Sequence, residues 1–222
     1  MSQHHTWDSW PGWSTISANP DTSFTIWFTG LPGTGKTTIA QLVKKALLAR
    51  GFKVEIIDTQ SLSYWLQHEL HIEEDIEDVK EDRSHAPGYD AFITYICALL
   101  ARNGIITLAV SVSPYKEARL HAREQIHHFI EVYLHCPNET RDKRLRQLEL
   151  TTPNFPTQLY QPPTNAELSI DTGLEVPERS TLRIVGHLEQ IGLVTPLWKD
   201  AAVADEKVDR VITRLQALGY LD

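Results

Sequence analysis

With 222 residues, 41% of them hydrophobic, the chain can bury one good core and has little room for a second. A formal charge of -8 excludes a protein that wraps nucleic acid, since neutralising phosphates takes clustered Lys and Arg, but a small anion in a locally basic cleft remains open. Two cysteines, Cys97 and Cys136, make no disulfide framework and read as core residues of a cytoplasmic protein. The longest apolar run, 104–112, is far short of the about 20 residues of a membrane span, and no signal-peptide core opens the chain.

The first 23 residues form a leader with Trp7, Trp10 and Trp13, expected to strap onto the core or a partner subunit. From Phe24 onward strand-like and helix-like segments alternate, the pattern of an α/β fold. Phe24 to Phe28 predicts the first strand, Lys36 to Arg50 a helix stopped by Gly51, and Lys53 to Ile57 a second strand. Further strands are expected at Ile105–Val112, Phe129–Cys136 and Glu167–Asp171, with helices near Ala91–Arg102, Tyr115–His127 and Asn138–Leu148. Together these give a doubly wound, mostly parallel five-stranded sheet flanked by helices. Glu69 to Asp82 is crowded with carboxylates and reads as a solvated loop, because it lacks the spacing of a calcium loop. The segment Thr151–Thr164, rich in Pro, Thr and Gln, reads as an irregular flap. Two similar amphipathic helices close the chain, Glu178 to Leu193 and Glu206 to Tyr220; the second belongs to an appended segment, 195–222, beyond a main domain of 24–194.

The run Gly30-Leu31-Pro32-Gly33-Thr34-Gly35-Lys36-Thr37, followed by Thr38, fits G-x-x-x-x-G-K-[ST] without a mismatch, between a predicted strand and a predicted helix. Its glycines let backbone N–H groups converge on phosphate oxygens, Lys36 reaches the terminal phosphates, and Thr37 offers a hydroxyl to Mg²⁺. The alternative, a glycine turn that only joins strand to helix, leaves the Lys-Thr pair unexplained. No Asn-Lys-x-Asp segment for reading guanine is present, and no long domain for mechanical coupling, so the loop points to a small-molecule kinase of the P-loop type using ATP and Mg²⁺.

Three further segments carry a resemblance: Thr107 to Glu124, which contains Ser113-Pro-Tyr115; Phe129 to Pro137; and Tyr160-Gln-Pro-Pro-Thr-Asn-Ala-Glu-Leu-Ser-Ile-Asp-Thr172. With the phosphate loop, they resemble the adenylylsulfate kinase family over about Phe24 to Val194. That family transfers the γ-phosphate of ATP to the 3′-hydroxyl of adenylylsulfate, with Mg²⁺ and usually as a homodimer. The resemblance implies that residues 30–38 and Arg144 hold ATP, and that Arg83, Val112 and Phe155 contact adenylylsulfate. It also gives Lys36, Asp58 and Ser113 catalytic roles, Ser113 falling at the family's serine before Pro-Tyr. Each has a plainer reading: Arg83 and Arg144 as surface charges, Phe155 as core, Ser113 as a helix cap.

The departures fall on the acceptor side. After the second strand the family has Asp-Gly-Asp-Asn-x-Arg, whereas this chain has Asp58-Thr-Gln-Ser-Leu-Ser63, and Ala86 stands where the family has Asn. An amide at 60 and a hydroxyl at 63 are poor substitutes for a carboxylate and a guanidinium. A kinase for a different small hydroxyl compound, or a nucleotide-binding regulator without turnover, therefore stays open beside the adenylylsulfate kinase reading.

Overall fold

The computed structural model describes residues 23–70, 87–147 and 155–196. Five strands build one sheet: β1 (Thr25–Thr29), β2 (Val54–Asp58), β3 (Ile106–Val110), β4 (Phe129–His135) and β5 (Leu168–Asp171). Their order is β2-β3-β1-β4-β5 and every pairing is parallel, with Ile26 opposite Leu108 on one side and Ile130 on the other. A parallel sheet covered on both faces buries its central strands, and all five residues of β1 and of β3 are buried, their threonines included. Among the described residues six helices connect and flank the strands: α1 (Lys36–Leu48), α2 (Thr59–Leu70), α3 (Pro87–Arg102), α4 (Lys116–Gln125), α5 (Asn138–Gln147) and α6 (Pro177–Gln190). By internal contacts the chain divides into two units, 1–184 and 185–222.

All five expected strands are present, displaced by a residue or two at their ends. One helix was not foreseen. The stretch read as an acceptor motif and an acidic loop begins with α2, whose start is marked by Asp58: its Oδ1 accepts from the backbone N–H of Gln60 at 3.0 Å and of Ser61 at 3.5 Å, as an N-capping carboxylate does. The 151–164 segment is irregular where described, with a 3-10 turn at Thr157–Leu159. Cys97 is a core thiol pushed by burial up to about 12, but Cys136 is partly exposed just beyond β4, so only one of the two is core. The Trp-rich leader, the acids beyond residue 70, Arg83, Ala86 and the second amphipathic helix lie outside the described residues.

Around Trp27, which is fully buried, pack Ile93 and Cys97 from α3, Ala122 from α4, and Phe129, whose ring centroid lies 5.7 Å away. This cluster anchors α3 and α4 on one face of the sheet. It thereby fixes the loop between β3 and α4, which helps form the site described next.

Candidate active site

In a parallel sheet whose strand order reverses about β1, ligands bind outside the carboxyl ends of the strands. A cavity of about 590 Å³ opens there, within the range of small-molecule sites. The loop between β1 and α1 forms its floor. Gly30 is at φ 146, and a Cβ there would lie 2.1 Å from the carbonyl oxygen of Leu134, so no other residue fits. Gly35, at φ 88, is the N-cap of α1 and supplies no side-chain cap, and the first turn of α1 carries no acid. A helix start with uncapped N–H groups and no anion of its own is suited to a phosphate.

Lys36 folds back over the loop, and its ammonium donates to the carbonyls of Gly30 at 2.8 Å and Leu31 at 3.0 Å. Burial pushes it down from 10.5 to about 8, against the opposing pull of Asp58 and Cys136. Thr34 closes the loop on itself by donating from Oγ1 to the Leu31 carbonyl at 2.8 Å.

Asp58 comes from the end of β2, next to β3, with its second oxygen turned to the loop: Thr37 Oγ1 donates to Oδ2 at 2.8 Å. The helix cap and the threonine hydroxyl between them fix the carboxylate at the cavity's edge. A hydroxyl and a carboxylate side by side, both lining the cavity, are the hard oxygen donors that Mg²⁺ takes together with phosphate oxygens and water. Gln60 and Ser61, at the start of α2, line the same edge. Ser63 does not; it is buried at 8% exposure, where a long cationic side chain would have to be desolvated.

Beside Asp58, which is in register with Val110, stands the end of β3, where Val110, Ser111 and Val112 form a wall. Ser113, expected to be catalytic, is 0% exposed and is not among the lining residues. Its Oγ accepts from Trp27 Nε1 at 3.0 Å and donates to Asp90 Oδ1 at 2.7 Å. Its carbonyl accepts from Arg119, which also forms a buried ion pair with Glu131 at 2.8 Å.

At the far end, Arg144 of α5 is pinned: Nη1 donates to Thr172 Oγ1 at 3.0 Å and Nη2 to the Thr172 carbonyl at 2.6 Å. Thr172 Oγ1 in turn donates to the Thr34 carbonyl at 3.0 Å, tying the end of β5 to the phosphate loop. Arg144 and Thr172 line the cavity with Glu175, Pro177 and Ser180 from the start of α6 and the turn before it.

The geometry thus brings Pro32, Gly33, Gly35, Lys36, Thr37, Thr38, Asp58, Val112 and Arg144 together around one cavity. Phe155 is partly buried and lies outside that lining, and Arg83 is outside the described residues. Two lining residues of note carried no candidate role in the sequence. Thr172 closes the Asp-Thr run that had been read only as part of a resemblance, and Ser111 lies in a strand end with nothing local to single it out.

An all-parallel sheet in this order, with a phosphate loop after its central strand and a carboxylate beside the loop threonine, defines a P-loop phosphotransferase. The model of the adenylylsulphate kinase family matches residues 22–171, and the chain belongs to that family. An adenylyl-sulfate kinase of Halothermothrix orenii is 35% identical over 178 residues, covering 77% of this chain and 91% of the relative. One from a Picosynechococcus strain is 33% identical over 180 residues, covering 78% and 97%. The solved APS kinase of Mycobacterium tuberculosis in complex with AMPPNP and APS is 27% identical, covers 76% of this chain and 98% of its own, and superposes with a TM-score of 0.57.

Proposed function

We propose that the protein is an ATP-dependent adenylylsulfate kinase, moving the γ-phosphoryl group of ATP to the 3′-hydroxyl of adenylylsulfate. The observation that carries this is the Thr37–Asp58 pair, 2.8 Å apart at the mouth of the phosphate loop, in a chain that belongs to this family. In-line transfer requires little covalent chemistry of the protein; it requires positioning and charge neutralisation. The loop N–H groups and Lys36 would hold the β- and γ-phosphates, with the residues from Gly30 to Thr38 as the ATP site and Arg144 beside the adenine. Thr37, with Asp58 next to it, would hold Mg²⁺, which when bound neutralises charge on the phosphate oxygens. Asp58 faces the cavity from the acceptor side, where it can orient the 3′-hydroxyl and accept its proton.

Val112, Phe155 and Arg83 are the proposed contacts to adenylylsulfate, and Ser113 serves from behind the wall. The proposed assembly is a homodimer and the proposed location the cytoplasm, both supported by the family resemblance. Separately, no helix among the described residues is long and apolar enough to cross a membrane.

The test is turnover by the full chain with Mg-ATP and adenylylsulfate, reading ADP and the 3′-phosphorylated product together. Rates on the order of 1 to 100 per second are expected. ADP release that does not depend on adenylylsulfate, or that responds only to another hydroxyl compound, refutes the reading.

A further inference from the structure

Where β3 ends, the backbone turns sharply behind the cavity wall. Ser113 has φ 44, in the left-handed region that residues with a Cβ rarely enter without support. The support comes from α3. Asp90, in its first turn, is 2% exposed and accepts at a single oxygen, Oδ1, from Ser113 Oγ at 2.7 Å and Ser111 Oγ at 3.2 Å. Neither hydroxyl has a choice of direction. The Ser113 oxygen already accepts from Trp27 Nε1 at 3.0 Å, and the Ser111 oxygen from the Ser113 backbone N–H at 3.1 Å, so each proton goes to Asp90. The other carboxylate oxygen, Oδ2, is buried with no hydrogen-bond partner, and burial raises the group to about 6. A buried carboxylate used at one oxygen stabilises little by itself; its effect is to hold two serines in fixed rotamers.

We infer that Asp90 is a positioning residue for the acceptor: through Ser111 and Ser113 it fixes residues 111–113 as the wall against which adenylylsulfate lies. This rests on the assignment of Val112 to the acceptor. Asp90 does not itself line the cavity, so its effect on ligands must pass through the two serines. The phosphate loop is held by other groups, Thr34, Thr172 and Arg144, so ATP binding should be insensitive to it.

The charge is dispensable and the acceptor atom is not. Asp90→Asn keeps an oxygen where Oδ1 accepts and places the amide where Oδ2 has no partner, whereas Asp90→Ala leaves two buried hydroxyls without an acceptor. Calorimetric titrations of the full chain with Mg-ATP and with adenylylsulfate separate the possibilities. Asp90→Ala is expected to bind adenylylsulfate about tenfold more weakly, with ATP affinity within about twofold of wild type, and Asp90→Asn to recover to within about threefold. Ser113→Ala, whose hydroxyl no ligand can reach, should reproduce the Asp90→Ala pattern and carries the test if that variant does not fold. Equal weakening for both ligands, unchanged acceptor affinity, or an Asn variant as weak as Ala overturns the inference. A wild type that binds ATP but not adenylylsulfate overturns the acceptor assignment first, and this inference with it.

Discussion

Binding of ATP should draw protons into the protein, because Lys36 is held in an unfavourable state until a phosphate arrives. Two carbonyls, the Asp58 charge and Cys136 only partly offset the burial of its ammonium, and it sits at about 8 in place of 10.5. The difference corresponds to about 3 kcal/mol at neutral pH, a cost of keeping the charge that diminishes as pH rises from about 8 towards 10.5. A polyphosphate against the ammonium returns it to the ordinary lysine range. The complex then takes up the fraction of a proton that the free protein has lost: ~0.1 at pH 7, ~0.5 at pH 8 and ~0.9 at pH 9. At pH 8 phosphate groups of the nucleotide are already ionised, so they release nothing to mask the effect. Isothermal titration in two buffers of different ionisation enthalpy measures the uptake directly. Lys36→Met should abolish it and lower turnover by about a thousandfold while leaving the fold intact. Uptake below about 0.1 proton at pH 8, or the same uptake in Lys36→Met, would refute the assignment of this lysine as the phosphate contact.

Gly30→Ala places a methyl group 2.1 Å from the Leu134 carbonyl oxygen and should destabilise the protein by about 3 kcal/mol or more, seen as a fall of about 6–12 °C in melting temperature. Gln60→Asp restores an acid at an exposed, cavity-lining position in the first turn of a helix that has none there, and should raise kcat/KM for adenylylsulfate about fivefold or more; no rise means that Asp58 suffices. Ser63→Arg, which the family motif invites, should instead destabilise, because position 63 is buried. For Asp90 the folded value of about 6 lies above the ordinary 3.8, so the folded state favours the protonated form and stability from this group rises as pH falls from 7 towards 4. Urea unfolding of wild type should therefore gain up to about 3 kcal/mol over Asp90→Asn on acidification, and parallel pH profiles would exclude the shift.

Much of this protein can be read locally. Strands β1 and β3 are rich in Ile, Leu, Val and aromatic residues with only threonines between, because a parallel sheet covered on both faces buries its central strands, and their sequence announces them. The phosphate loop is largely local: strand, glycines, Lys36 and Thr37 are contiguous, although Thr172 and Arg144 tie it from afar. Helix α2 was missed because the stretch resembled an altered motif, although Asp58 followed by Thr-Gln-Ser carries a capping signal that could have revealed it. What only the tertiary structure decided is the pairing of groups far apart in the chain. Asp58 meets Thr37 because β2 ends level with the phosphate loop, and Arg144 is locked by Thr172 because β5 returns beside β4. Asp90 reads as an ordinary residue near a helix start; it becomes a hub only when α3 packs on the sheet and places it under Ser111 and Ser113. Ser63 and Gln60 looked alike as departures from a motif, yet the helix between them turns one into the core and leaves the other facing the cavity. Residue type and spacing fix which chemistry is available, but the direction in which a side chain points depends on neighbours that the local sequence does not contain.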